Sequence, residues 1–392
     1  MKSTKRFSLP LSLCGLAVAA IAIQGQTRPP AKPLPQGSYA QNVEYVGFTN
    51  LNGHLPFKID VQQVNGRWYM YAGAQTDRGW SILDVTDAAN PKVLSWIPGP
   101  KNTRSGELDI ADGKLITAAE RSQMGGDTDP NAPWDDGIVI WSLKDPVHPM
   151  RLGQWKTGGL GTHRNAYFGG RYVHTAAAVR GYFGQIYVIV DISDPAHPKL
   201  VWSIDMNPPH RGPHTVSPIV YNEVPNFGKD ALPRTYAFIV DEAAGGDIKP
   251  CTNGVRAASY MLDITTESKP FPVSVWEVPV GNFCEKGGRF GPHQSAETVN
   301  GKINRFESKI AWLAYFNAGI RVVDLSNPYR IEELGYYIPK TNKNSYPIEK
   351  GQPVVIQIND VDIDHRGLAY ASDRVGTGLF VLEYTGSRKR AP

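Results

Sequence analysis

The chain has 392 residues, of which 41% are hydrophobic, with 39 glycines and 31 prolines. That length can bury a large core, and so much glycine and proline suits many short strands and turns, which excludes a coiled coil or a disordered protein. The formal charge is only +4, so nothing in the net charge recruits nucleic acid or an anionic surface.

The first residues carry Lys2, Lys5 and Arg6, then an apolar run from Leu9 to Ile23 holding the small-x-small site Ala20-Ile21-Ala22. This is the grammar of an export signal over residues 1–22, cleaved near Ala22. The run is short for a bilayer span, and no other stretch reaches its length. Loss of the signal takes the formal charge from +4 to +1. The mature protein is expected in the periplasm or secreted, with no membrane span and as a monomer. It keeps two cysteines, Cys251 and Cys284, which an oxidising compartment favours as a disulfide over free thiols or metal thiolates. Residues 23–41, with the proline-rich TRPPAKPLPQ from Thr27 to Gln36, form an extended linker.

From Asn42 onward the chain reads as short strands. Asn42 to Phe48 is one strand outside any complete unit. Phe57–Val64, Trp68–Gly73, Trp80–Val85 and Lys92–Ile97 then form a four-stranded unit, with Asn65-Gly66 as the hairpin turn between the first two. Its third strand carries a grammar that returns: WSILDVTDAANPKVLSW from Trp80, IVIWSLKDPVHPMRLGQW from Ile138, QIYVIVDISDPAHPKLVW from Gln185, YMLDITTESKPFPVSVW from Tyr260, IRVVDLSNPYRIEELGYY from Ile320, and a truncated LFVLEYTGS from Leu379. Recurrence at roughly 50 to 70 residues marks a repeat architecture. The third copy (Ile189-Val190-Asp191-Ile192-Ser193-Asp194-Pro195) and the fifth (Val322-Val323-Asp324-Leu325-Ser326-Asn327-Pro328) resemble the LVIVD repeat most closely. The second copy departs from it, with Trp141-Ser142 at the place of Asp-Val, and the sixth has Glu383.

The LVIVD repeat is a β-propeller blade of secreted bacterial proteins. The resemblance implies an all-β chain, a six-bladed β-propeller over residues 42–386 followed by a basic tail at 387–392, with seven blades as the alternative. Blades are expected to begin near residues 54, 105, 162, 213, 292 and 354. The sixth copy lacks a fourth strand, and the strand from Asn42 is in excess, so the N-terminal strand is expected to complete the last blade and close the ring. The resemblance assigns no common activity.

Chemistry concentrates on one expected face, around the channel mouth. The inner strands begin with Gly161-Thr162-His163, Gly212-Pro213-His214 and Gly291-Pro292-His293. Counting back from the following turns puts Glu107 and Asp360 at the matching positions of two further blades, with Lys58 in the first. Three imidazoles and two carboxylates converging on an axis would suit a divalent transition metal: zinc, copper, iron or nickel. The competing reading is that repetition alone supplies the histidines, each bonding a neighbouring blade's backbone. Asp60, Asp109 and Asp362 further along the strands would orient that ring or cap inner-strand amides. His54, His210, Trp134 and Arg289 border the same face. The expected function is an exported binding module for a small molecule or protein at this mouth. The alternative is a metal-dependent hydrolase or oxidoreductase.

Overall fold

The computed structural model describes residues 30–74, 78–121, 131–182, 186–204, 213–221, 233–243, 257–266, 269, 271–296 and 309–387. The expected signal peptide lies outside these residues. Among the described residues there is no α-helix, only a short 3-10 turn at Leu51–Gly53, and no helix long and apolar enough to cross a membrane.

The fold is all-β and propeller-like, built from consecutive antiparallel meanders. Two strands come first, β1 (Tyr39–Gln41) and β2 (Val43–Thr49). The first meander is β3 (Pro56–Val64), β4 (Arg67–Ala74), β5 (Gly79–Asp84) and β6 (Lys92–Pro98), within a residue or two of the expected strands. Asn65 and Gly66 both take positive φ, 51° and 80°, in its tight turn, which only such residues tolerate cheaply. The second comprises β7 (Thr103–Arg104), β8 (Leu108–Ala111), β9 (Lys114–Arg121), β10 (Gly137–Ser142) and β11 (Met150–Trp155). The third is β12 (Gly161–Ala166), β13 (Tyr172–Ala178), β14 (Ile186–Asp191) and β15 (Lys199–Ile204). The fourth is β16 (Pro213–Tyr221), β17 (Arg234–Asp241), β18 (Ser259–Asp263) and β19 (Phe271–Trp276). The fifth is β20 (Gln294–Ser295), β21 (Ile310–Ala314), β22 (Ile320–Asp324) and β23 (Glu332–Ile338), with β1 added outside β23. The last sheet is β24 (Ile358–Ile363), β25 (Leu368–Asp373) and β26 (Gly378–Tyr384), and β2 is its fourth strand, Val43 opposite Tyr384 and Thr49 opposite Leu379.

The repeat signature has a local physical cause. Asp84, Asp191, Asp263 and Asp324 each end a third strand, and each accepts the amide two residues on, at 2.8 to 2.9 Å, from Thr86, Ser193, Thr265 and Ser326. A short carboxylate that bonds its own backbone stops the strand and turns it. In the second meander Ser142 does this, its Oγ accepting from Lys144 at 3.2 Å. Ser142, not Trp141, therefore stands where the aspartate belongs. In each of the first five meanders the register slips just before this residue, for example between Ile189 and Val190. The bulge steepens the strand twist.

Apolar side chains pack between neighbouring sheets. One core cluster joins Ile59, Met70 and Leu83 of the first meander to Val46, Tyr370 and Val381 of the last sheet. Another joins Trp312 and Val322 to Ile358, Ala371 and Leu382. Successive meanders thus bury apolar side chains against each other, as two-faced sheets require.

Candidate functional site

The ladders fix which inner-strand residues are equivalent. Measured from the repeat aspartate, Arg164 (opposite Ala176), Thr215 (opposite Val240), Gln294 (opposite Ala314) and Asp360 (opposite Ser372) share one level. Glu107 belongs to it too, its carbonyl accepting from Ala118 at 3.0 Å. His163, His214 and His293 do share a level, one residue earlier, where Gly106 and Asn359 stand in two other units. Counting from the turns set Glu107 and Asp360 level with the histidines; the ladders put both one residue further along. For Asp360 the reason is hairpin length: five residues, 167–171, link β12 to β13, whereas four, 364–367, link β24 to β25.

The later level is a side-chain plug. Arg164 lies 3.6 Å from Glu107 and donates to Gln294 at 2.8 Å, and Gln294 donates in turn to Asp360. That chain runs from the second meander through the third and fifth to the last sheet. Asp360 also accepts from the Ile59 amide at 2.8 Å, and Lys58 pairs with Asp109 at 2.9 Å. Deeper, Asp60 accepts from Ile110 at 2.6 Å and Asp362 from Val61 at 3.1 Å. These carboxylates cap amides of neighbouring inner strands. Lys58, Asp60, Asp109, Tyr167, Asp360 and Asp362 line a cavity of about 20 Å³, room for a single water. Burial first, then repulsion from Asp362 and Asp109, pushes the Asp60 carboxyl well up, and burial pushes Asp362 up to about 7.

Above the plug, three guanidiniums meet two phenyl rings. Arg104 and Arg374 lie 4.9 and 4.8 Å from the Phe57 centroid, and Arg374 and Arg289 lie 5.3 and 5.4 Å from that of Phe316. Arg104 pairs with Glu120 at 3.0 Å and Arg289 with Glu242 at 3.3 Å. Arg374, 5% exposed, donates through Nε to Asn359 Oδ1 at 2.7 Å, and among the described residues no carboxylate pairs with it. Burial and then Arg289 pull it down to about 9, so it stays charged at neutral pH. Among the described residues, Nε of Arg104 and Oε2 of Glu107 are buried without hydrogen-bond partners.

The two described histidines of this level are held in similar ways. His163 Nδ1 lies 3.1 Å from Glu120 Oε2. Burial would raise the Glu120 carboxyl, but the hydrogen bond and charge of His163, with Arg104, hold it below its ordinary value. His293 donates its Nδ1 proton to the Asn359 carbonyl in the next sheet. Its Nε2 is then the acceptor, 3.4 Å from Arg374 Nη2. Glycine places the first pair: Gly161, at φ 94°, pairs with Glu120 across the joint between second and third meanders. A Cβ there would meet the Ala119 carbonyl at 2.1 Å.

Of the other expected residues, Arg289 joins the cluster. His54 stacks on Trp96 of the outer strand β6, with centroids 3.6 Å apart. Trp134 is half-buried under Arg121, 6.0 Å from the guanidinium. His210, Cys251 and the His214 side chain lie outside what is described. Among the described residues no three His, Cys, Asp or Glu side chains gather as a metal would require. The acidic loop is partly structural: Asp136 accepts from Thr157 and Gly158, fixing the approach to β12. Sequence reasoning missed Arg104, Arg374, Phe57, Phe316, Glu120 and Glu242. All lie at or just beyond strand ends on the face already singled out, which was the available signal.

The LVIVD repeat family matches residues 182–206 and 309–338, the segments of the third and fifth copies, so the chain carries LVIVD repeats. No curated protein matches it. Solved structures with a similar course include a hypothetical selenium-binding protein from Sulfolobus tokodaii, with 11% identity over 81% of this chain and 76% of that one and a TM-score of 0.43. The periplasmic gluconolactonase of Pseudomonas aeruginosa has 13% identity over 81% and 76%, with a TM-score of 0.38. A protein from Lactobacillus plantarum has 14% over 84% and 76%, with 0.36.

Proposed function

We propose that this LVIVD-repeat protein is an exported six-bladed propeller that binds a small anion at the inner-strand mouth. The observation that carries the reading is Arg374: a buried guanidinium that no carboxylate among the described residues contacts, with Glu242 and Glu107 acting on it only at longer range, flanked by Arg104 and Arg289. An unmatched buried charge is costly, and a ligand anion is the natural partner. Ring closure through β2 and six meanders as six blades belong to the same reading, supported by the pairing of β2 with β26 and by the Asp360 bond to Ile59 that joins last sheet to first. So does a Cys251–Cys284 disulfide, which an oxidising compartment favours.

The test is calorimetric titration of the mature protein with acetate, succinate and inorganic phosphate at constant ionic strength. At least one should bind saturably, and Arg374→Gln should weaken it at least ten-fold while Arg330→Gln, on an exposed turn, does not. Equal affinity in wild type and Arg374→Gln would overturn the reading.

A metal-assisted site is the second reading, favoured by one observation. His163 and His293 turn Nδ1 towards a carboxylate and a carbonyl, the way a metal-binding imidazole is usually oriented from behind. His163, His214 and His293 would be its ligands. Elemental analysis of untagged protein should then find stoichiometric zinc, copper, iron or nickel that His214→Ala with His293→Ala abolishes; metal-free protein ends this reading.

A further inference from the structure

Resting on the anion reading above, we infer that the ligand of the mouth is a hydroxylated monocarboxylic acid, a monoanion that also carries several hydroxyl donors. Charge is the first argument. Of the three guanidiniums around Phe57 and Phe316, two already face carboxylates in contact, Glu120 and Glu242, and among the described residues no carboxylate contacts Arg374. One unmatched positive charge is neutralised by one negative charge. A dianion would bring back the imbalance with opposite sign, and a zwitterion would leave it in place.

The second argument is the mixture of polar groups. A purely cationic cradle would suit phosphate, but this mouth offers acceptors beside donors. Glu242 keeps 31% and Glu120 23% of its side-chain surface exposed, so each has lone pairs open beyond its arginine. Glu107 Oε2, 3.6 Å from Arg164, makes no hydrogen bond among the described residues, and Arg104 Nε is a buried donor with none there. Hydroxyl groups fit both, since each donates and accepts. A simple carboxylate such as propionate would satisfy Arg374 and leave the remaining lone pairs of these acceptors unused. A neutral sugar would reach the acceptors and leave the guanidinium unmatched.

The third argument is the floor. The Glu107, Arg164, Gln294 and Asp360 chain spans the inner strands of four units. A ligand therefore lies across the mouth instead of threading it, and meets several rim groups at once. That geometry rewards a short polyhydroxylated chain or ring.

The experiment is titration of the mature protein with gluconate and galacturonate, compared with glucose, galactose, propionate and phosphate. The hydroxy acids are expected to bind at least ten-fold tighter than propionate and at least a hundred-fold tighter than the neutral sugars. Glu242→Gln, which frees Arg289 and so strengthens every anion, should still cut the ratio of hydroxy-acid to propionate affinity at least three-fold, because each hydrogen bond to a charged group is a sizeable increment. If propionate binds as tightly as the hydroxy acids, this inference falls while the anion reading stands. If phosphate binds tightest, the monoanion assignment falls. If no anion binds, both fall together.

Discussion

Arg104 and Arg374 rest their guanidiniums on one ring, that of Phe57, 4.9 and 4.8 Å from its centroid. Two like charges drawn to one quadrupole repel each other, and the ring is what makes their proximity tolerable. Replacing it by an aliphatic side chain of similar bulk separates this effect from packing. Phe57→Leu is expected to lower stability by about 2 kcal/mol and to weaken anion binding several-fold. Urea denaturation and calorimetry read the two separately; a variant with unchanged affinity would show that Phe57 only fills space.

The deep carboxylates set a pH dependence of definite sign. Asp362, pushed up to about 7 by burial, holds a proton that the unfolded chain releases near pH 4. The folded state is the better proton binder in that window, so stability should fall as pH rises from 5 to 8, and Asp60, shifted the same way, adds to the fall. Glu120, shifted down, acts oppositely and only at lower pH. Asp362→Asn keeps an acceptor for the Val61 amide and should flatten the profile, with a higher melting temperature than wild type at pH 8. A variant less stable than wild type at that pH would contradict this account.

The repeat aspartates are turn formers, so their side-chain oxygen matters more than their charge. Asp324→Asn should be nearly neutral, whereas Asp324→Ala should cost about 1 kcal/mol. Comparable losses for both would point to charge instead, and chemical denaturation distinguishes them.

Gly161 admits no side chain. Gly161→Ala forces a Cβ towards the Ala119 carbonyl at a positive φ and is expected to cost about 2 kcal/mol or more. Because Gly161 pairs with Glu120, the His163 imidazole should move too, visible as changed imidazole chemical shifts by NMR. An unaltered His163 signal would separate the joint from the mouth.

The alternating apolar runs and Asp-Pro turns made the four strands of the first unit readable to within a residue, since period and turn chemistry are local, while the last unit, expected near 354, begins its first strand at Ile358. The third strand of the second repeat was misaligned by one because Trp141 occupies an aspartate-like place in the letters, whereas the bulge gives that role to Ser142. The mouth was legible as a face and not as a set of groups. Repetition exposes histidines that recur, but Arg104, Arg374, Glu120 and Glu242 each occur in one unit and follow no period. Nor can letters reveal that Asp360 is bound to Ile59 and Gln294 and is therefore committed to the plug.

The pairing of β2 with β26 has a bearing on biogenesis. A ribosome delivers the chain from its amino end, so Val43 to Thr49 emerges long before Tyr384, which pairs with Val43. Until then the last sheet has an open edge and the apolar side of the early strand is unprotected, as prey for proteases or for a second copy of itself. A holdase guarding one short segment near the amino terminus would protect the whole molecule through that interval.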